Sequence, residues 1–140
     1  MYQKILLALD ATAADRSLLT HIVELAKLHQ SKLLLLHVAD GWAARNFDAL
    51  KLAESEEIKE DRAYLERTAS DLRNQNLEVT TRLAMGNPPT EILKTASAEK
   101  CDLIAMTTHG HRFLADIVLG STIEAVRHQA KIPLLIVRAE

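Results

Sequence analysis

The 140-residue sequence has one cysteine, few aromatic side chains and no surplus of positive charge. The single cysteine, Cys101, excludes an internal disulfide and favours a reducing compartment. Seventeen Lys and Arg residues against nineteen Asp and Glu give a net charge of −2, and aromatic residues make up 4% of the chain. Nucleic-acid binding needs clustered cations and stacking side chains, so we expect no nucleic-acid partner.

Long apolar segments are also absent. The first apolar run, Ile5 to Leu9, is shorter than the about 7–15 residues of a signal-peptide core. No later run approaches the roughly 18 residues that cross a bilayer. We therefore expect no membrane association and a cytoplasmic location. The length suits one domain, and we expect residues 1–140 to form it.

Short apolar runs alternate along the chain with helical patterns. The predicted strands are residues 5–9, 32–38, 77–83, 102–107 and 133–137, with four helical segments between them. The third strand alternates apolar and polar residues, which indicates an exposed face at a sheet edge. This order predicts an α/β fold: an open, doubly wound five-stranded parallel sheet, order 3-2-1-4-5, with helices on both faces.

A ligand site is expected where the strand order reverses, at the carboxyl ends of strands one and four. Residues 10–14 follow strand one, and residues 107–121 follow strand four. In the second loop, Gly110, Gly120 and Ser121 have the small size and donors that phosphate binding requires. The alternative is structural, because Ser121 and Glu124 have the spacing of a capping box.

The sequence resembles the universal stress protein family from Lys4 to Val137. ATP-binding members carry a glycine, two residues, a second glycine, nine residues, and a glycine followed by Ser or Thr. Gly110, Gly120 and Ser121 match this pattern, whereas Thr107 stands where the first glycine belongs. A β-branched residue there narrows the crevice if its side chain points inward.

The resemblance implies a stress-response sensor or regulator that binds ATP, or the related AMP or ADP, with Mg²⁺ sharing the phosphate charge. It also implies a homodimer formed through the last strand. The nucleotide-binding residues it implies are Ala8, Asp10, Val38, Thr107, His109, Gly110, Gly120, Ser121 and Thr122.

Other interpretations of these residues are structural or belong to another function class. Thr107, together with the charged helix around Glu54 to Arg73, favours a nucleotide-independent dimeric interaction protein of the same fold. Asp10 contacts the ligand, holds a metal ion or caps the first helix. Cys101 is expected to be a buried, inert thiol.

Catalytic and metal-binding patterns are weak or missing. No P-loop and no Gly-x-Ser-x-Gly elbow occurs, and neither a general base nor a lysine clamp for phosphoryl transfer is evident. We expect no enzyme, and at most very slow ATP hydrolysis. His109 and His111 lack the neighbouring ligands of a zinc site, so we expect no protein metal site. Trp42 and Phe47 are expected to cover the core.

Overall fold

The computed structural model of the chain describes residues 1–40, 51–108 and 122–139. Helices and strands alternate through these ranges. They are β1 (Lys4–Ala8), α1 (Asp15–His29), β2 (Lys32–Asp40), α2 (Lys51–Arg73), β3 (Glu78–Gly86), α3 (Pro88–Ala98), β4 (Leu103–Thr108), α4 (residues 122–129) and β5 (Leu134–Arg138). None of the helices in these ranges has the length and apolar character needed to cross a membrane.

The five strands form one parallel sheet in the order β3-β2-β1-β4-β5, which confirms the predicted fold class and strand order. The central strand, β1, pairs with β2 on one side and with β4 on the other. The outer strands of the described sheet are β3 and β5. The two halves of the sheet therefore meet at β1 and β4, where the chain reverses its direction of winding.

Continuous apolar runs in β1, β2 and β4 reflect burial on both faces of the sheet. One face packs against α1 and α2, and its strand residues include Leu7, Leu35 and Ala105. The other packs against α3 and α4, and its strand residues include Leu6 and Leu34. Full burial of a leucine side chain contributes about 1.5–3 kcal/mol, so these two layers supply much of the driving force for folding.

Helix α2 is anchored to the sheet by its apolar residues. Leu65, Ala69 and Leu72 are buried against the sheet, while Ile58 is half-buried. Most of the other described residues of α2 are exposed, as expected for a charged surface helix.

Two predicted strand ends were wrong. β2 continues to Asp40 and β3 to Gly86, whereas the sequence pattern predicted that these strands end at residues 38 and 83. The reason is that the two strands pair in register along their full lengths, from Lys32 opposite Glu78 to Asp40 opposite Gly86. Asn87 caps the next helix, because its Oδ1 accepts a hydrogen bond from the Thr90 N–H at 3.2 Å.

Candidate functional site

A cavity of about 140 Å³ lies at the carboxyl ends of β1, β2 and β4. Five of the nine predicted nucleotide-binding residues line it, together with side chains that were not predicted. The predicted ones are Ala8, Asp10, Val38, Thr107 and Thr122, and the others are Leu9, Leu36, His37, Pro88, Ile92 and Met106. The structure therefore brings residues from both sides of the strand-order reversal to one place.

The alternation of side chains along each strand explains this convergence. Leu6, Leu34 and Ile104 face the α3 and α4 layer, and residues two and four positions further along the same strands face the same way. Ala8, Val38 and Met106 thus reach the cavity walls. The first turn of α3 closes another side through Pro88.

Thr107, which stands in place of the expected glycine, lines this cavity. Its side chain is buried, and its Oγ1 donates a hydrogen bond to Asp10 Oδ2 at 3.3 Å. The residue that replaces the expected glycine therefore contacts a second predicted binding residue, and both line the cavity.

The interpretation of Asp10 as the cap of α1 is wrong. The cap position of that helix is Ala14, which offers no side-chain acceptor. Asp10 lies four residues earlier, in the turn between β1 and α1. It lines the cavity, and its carboxylate accepts a hydrogen bond from Thr107.

Asp15, the first residue of α1, holds the turn after β1 in place. Its side chain is fully buried and accepts hydrogen bonds from the N–H groups of Asp10 and Ala11, both at 2.9 Å, and from the Tyr64 hydroxyl at 2.7 Å. Burial raises the pKa of the Asp15 carboxyl, and these hydrogen bonds act in the opposite direction. Ala11 has a φ of 61°, a left-handed conformation that costs a non-glycine residue about 1 kcal/mol or more, so the turn needs such support.

His37, on β2, also contacts the turn after β1. Its Nδ1 lies 2.8 Å from the carbonyl oxygen of Leu9, and its Nε2 lies 3.4 Å from Asp61 Oδ2 on α2. A carbonyl oxygen only accepts, so Nδ1 is the donor in the first contact.

The walls of the cavity are apolar with a few oxygen atoms, an arrangement that suits an uncharged flat group more than a phosphate. Among the described residues that line it there is no Lys or Arg. Across residues 1–40, 51–108 and 122–139, no group of three or more His, Cys, Asp or Glu residues could hold a metal ion.

Four predicted binding residues, His109, Gly110, Gly120 and Ser121, lie outside the described residues, as do His111, Trp42 and Phe47. Glu124, predicted to close a capping box with Ser121, contacts Arg127 and His128 through its carboxylate.

Cys101 is buried, as predicted. Burial raises the pKa of its thiol to about 11, which keeps the sulfur in its unreactive form at neutral pH.

Two larger cavities, of about 340 and 460 Å³, lie between α1 and α2 on the other face of the sheet. They are lined by helix residues and by the turn after β1, and no strand end opens into them. Judged by volume alone, they would be better candidates for a ligand site than the 140 Å³ cavity. Ligands of open parallel sheets bind at strand ends beside the reversal of strand order, so the smaller cavity is the better candidate.

Comparison with known proteins agrees with this architecture. The model of the universal stress protein family matches residues 1–138. The chain belongs to this family. A universal stress protein of Methanocaldococcus jannaschii is 27% identical over 155 residues, which cover 99% of this chain and 96% of that protein. Its solved structure superposes with a TM-score of 0.84 and covers 100% of this chain and 98% of that one, at 28% identity.

Two further family structures were solved with nucleotides. One universal stress protein, in complex with cAMP, is 19% identical with a TM-score of 0.71, over 99% of this chain and 98% of that one. The protein from Archaeoglobus fulgidus, in complex with dAMP, is 23% identical with a TM-score of 0.71, over 97% and 98%. At these identities the likeness concerns the fold.

The residues that support the turn were not found from the sequence. Asp15 reads as an acidic residue in the first turn of a helix, a common and unspecific feature. Tyr64 and Asp61 lie more than forty residues away from the turn, in a helix whose pattern predicts only a solvated face. His37 carried a weak signal, because a titratable residue interrupts an otherwise apolar buried strand.

Proposed function

We propose that this universal stress protein is a sensor or regulator that binds an adenine nucleotide in the cavity at the ends of β1, β2 and β4. The observation that carries the proposal is that Ala8, Asp10, Val38, Thr107 and Thr122 line one cavity at the reversal of strand order. Family structures in complex with cAMP and dAMP support the choice of adenine. The cavity is smaller than the about 300–1,000 Å³ of whole-ligand pockets, so it suits the base end of the nucleotide.

The phosphates would then extend toward Gly110, Gly120 and Ser121, with Mg²⁺ sharing their charge; ATP is the nucleotide we propose, with ADP and AMP as related ligands. We further propose that the protein acts in the cytoplasm and is not an enzyme. A steady-state ATPase rate of about 1 s⁻¹ or faster, typical of enzymes, would overturn the last point.

The test is a titration of the protein with Mg·ATP, ADP and AMP, followed by thermal unfolding and by calorimetry, with Mg·GTP as the control ligand. At about one hundred times its Kd, a ligand adds roughly 2.7 kcal/mol, a shift of several degrees for a chain of this size. Ala8→Leu should fill the cavity and remove the shift, whereas the same substitution at the exposed Ala63 should keep it. No shift with any adenine nucleotide would favour the nucleotide-independent interaction protein.

We also propose a homodimer formed through β5. This strand is an outer strand of the described sheet, and Ile136 on it is 37% exposed. An exposed strand edge with a large apolar side chain is a surface at which a second strand can pair. Light scattering at micromolar concentration should give twice the chain mass. Ile136→Lys should yield monomers, and Leu28→Lys, at an exposed apolar residue on α1, should not. A monomeric wild-type protein would refute the dimer.

A further inference from the structure

Helix α2 lies against the face of the sheet opposite the cavity, yet two of its side chains connect to the turn that lines the cavity. They are Asp61 and Tyr64, three residues apart and therefore on one side of the helix. Neither residue lines the cavity itself. Any effect that they have on a ligand must pass through other groups.

The first connection runs through Asp15. The Tyr64 hydroxyl donates to Asp15 Oδ2 at 2.7 Å. The two oxygens of the same carboxylate accept from the N–H groups of Asp10 and Ala11, both at 2.9 Å. Asp15 is fully buried, so water does not compete for these contacts, and the orientation of its carboxylate sets the orientation of two consecutive peptide groups.

The second connection runs through His37. Asp61 Oδ2 lies 3.4 Å from His37 Nε2, and Nδ1 on the other side of the ring lies 2.8 Å from the Leu9 carbonyl oxygen. Both side chains of this pair are about 15% exposed, at 14% and 15%, so the contact is shielded from solvent. The carboxylate thus fixes the plane of the imidazole, which fixes the Leu9 carbonyl.

Together the two connections hold the peptide groups on both sides of Asp10. The carbonyl of Leu9 is bound through Asp61, and the N–H groups of Asp10 and Ala11 are bound through Tyr64. Ala11 takes a left-handed conformation, which glycine would adopt more readily than alanine does. Asp10, between these restraints, lines the cavity, and its carboxylate accepts a hydrogen bond from Thr107.

We propose that Asp61 and Tyr64 are positioning residues of the nucleotide site, which act from the opposite face of the sheet by fixing the backbone of Leu9 to Ala11. The inference rests on the proposed function, since it names the residues that give the nucleotide site its shape. It assigns to α2 a role that its exposed, charged sequence does not indicate.

The experiment measures the Kd of Mg·ATP by calorimetry at a temperature at which circular dichroism shows every variant folded. Tyr64→Phe removes only the hydroxyl, and Asp61→Ala removes the carboxylate. Each should raise Kd by about fivefold or more, the lower end of the factors by which coupled sites affect each other. Asp61→Asn keeps a group of the same size that can form a hydrogen bond with His37 Nε2, and it should restore most of the affinity.

Matched controls separate positioning from general destabilisation. Asp71→Ala makes the same change ten residues further along α2, about 15 Å away along the helix axis. Tyr2→Phe removes a phenol hydroxyl near the amino end of β1. Both should bind Mg·ATP as wild type does. In ¹⁵N–¹H spectra without ligand, the amide signals of Asp10 and Ala11 should move in Tyr64→Phe and stay in place in both controls.

The outcomes distinguish the two proposals. If wild type binds adenine nucleotides and Tyr64→Phe and Asp61→Ala bind equally well, the positioning role is refuted and the proposed function stands. If Asp61→Asn binds as weakly as Asp61→Ala, the connection through His37 is refuted. If wild type binds no adenine nucleotide, the proposed function is refuted, and with it the assignment of these residues to a nucleotide site.

Discussion

Replacing Asp15 with alanine should be among the most destabilising single changes in this protein. The substitution leaves three donors without their acceptor: the N–H groups of Asp10 and Ala11 and the hydroxyl of Tyr64. An unsatisfied buried donor costs about 1–3 kcal/mol. We use the lower value for each, because Asp10 and Ala11 are half-buried and water can reach their amides once the carboxylate is gone. The expected loss is about 3 kcal/mol, out of a total stability of roughly 5–15 kcal/mol.

Urea denaturation followed by circular dichroism measures this loss as a lower midpoint with an unchanged slope. For a chain of this length the melting temperature should fall by about 10 °C. Asp71→Ala, which removes an exposed carboxylate from α2, should stay within about 0.5 kcal/mol of wild type. A loss below about 1 kcal/mol in Asp15→Ala would show that the turn after β1 does not depend on the carboxylate.

The difference in free energy of unfolding between wild type and Asp15→Ala should also depend on pH. Because burial raises the pKa of Asp15 above 3.8, the folded protein binds more protons at this group than the unfolded chain does. Stability that Asp15 contributes is then complete below pH 3.8 and decreases as pH rises through the folded-state pKa. As pH rises through this range, the free energies of unfolding of wild type and Asp15→Ala should therefore become more similar. A difference that grows with pH would contradict the direction of the shift.

Three further predictions concern single side chains. The thiol of Cys101, with its pKa raised to about 11, should resist alkylation at pH 8 in the folded protein and react once urea unfolds it; rapid labelling of the native protein would contradict its burial. Burial and the neighbouring Asp15 raise the pKa of Tyr64. Tyrosines of the unfolded chain have a pKa of about 10, so they ionise fully at a pH at which Tyr64 of the folded protein stays protonated. At that pH the tyrosinate absorbance of the folded protein should be lower than that of the unfolded chain. Thr107→Val keeps the side-chain shape and removes the hydrogen bond to Asp10, so the free energy of unfolding should fall by about 1 kcal/mol. Equal stability of the two proteins in urea would show that this 3.3 Å contact contributes nothing.

The fold could be predicted from the sequence because its strongest signals are local. The apolar runs of β1, β2 and β4 can be buried only in a parallel sheet that is covered on both faces. Strand ends were harder to predict. The pairing of Asp40 with Gly86 is decided by contact between two strands, and turn-forming residues such as Gly86 and Asn87 do not reveal it.

The site could be predicted in outline, through the topology and the family resemblance. Asp10, Val38 and Thr107 follow three different strands, and the strand order places them together. The supporting residues could not be predicted. Asp15 and Tyr64 are 49 positions apart, and no periodic pattern connects a helix residue with a turn at that separation.

The pairing of β1 with β4 has a consequence for how the protein folds. The Gln3 amide and the Asp102 carboxylate, 99 positions apart, lie side by side at the start of this pair, whereas β1, β2 and β3 are joined by much shorter segments. Contacts between distant parts of a chain form late, because closing the long segment between them costs entropy first. The unit from β1 to β3 should therefore assemble before β4 docks onto it. The cavity exists only after that last step, so a bound ligand should slow unfolding and leave the folding rate unchanged.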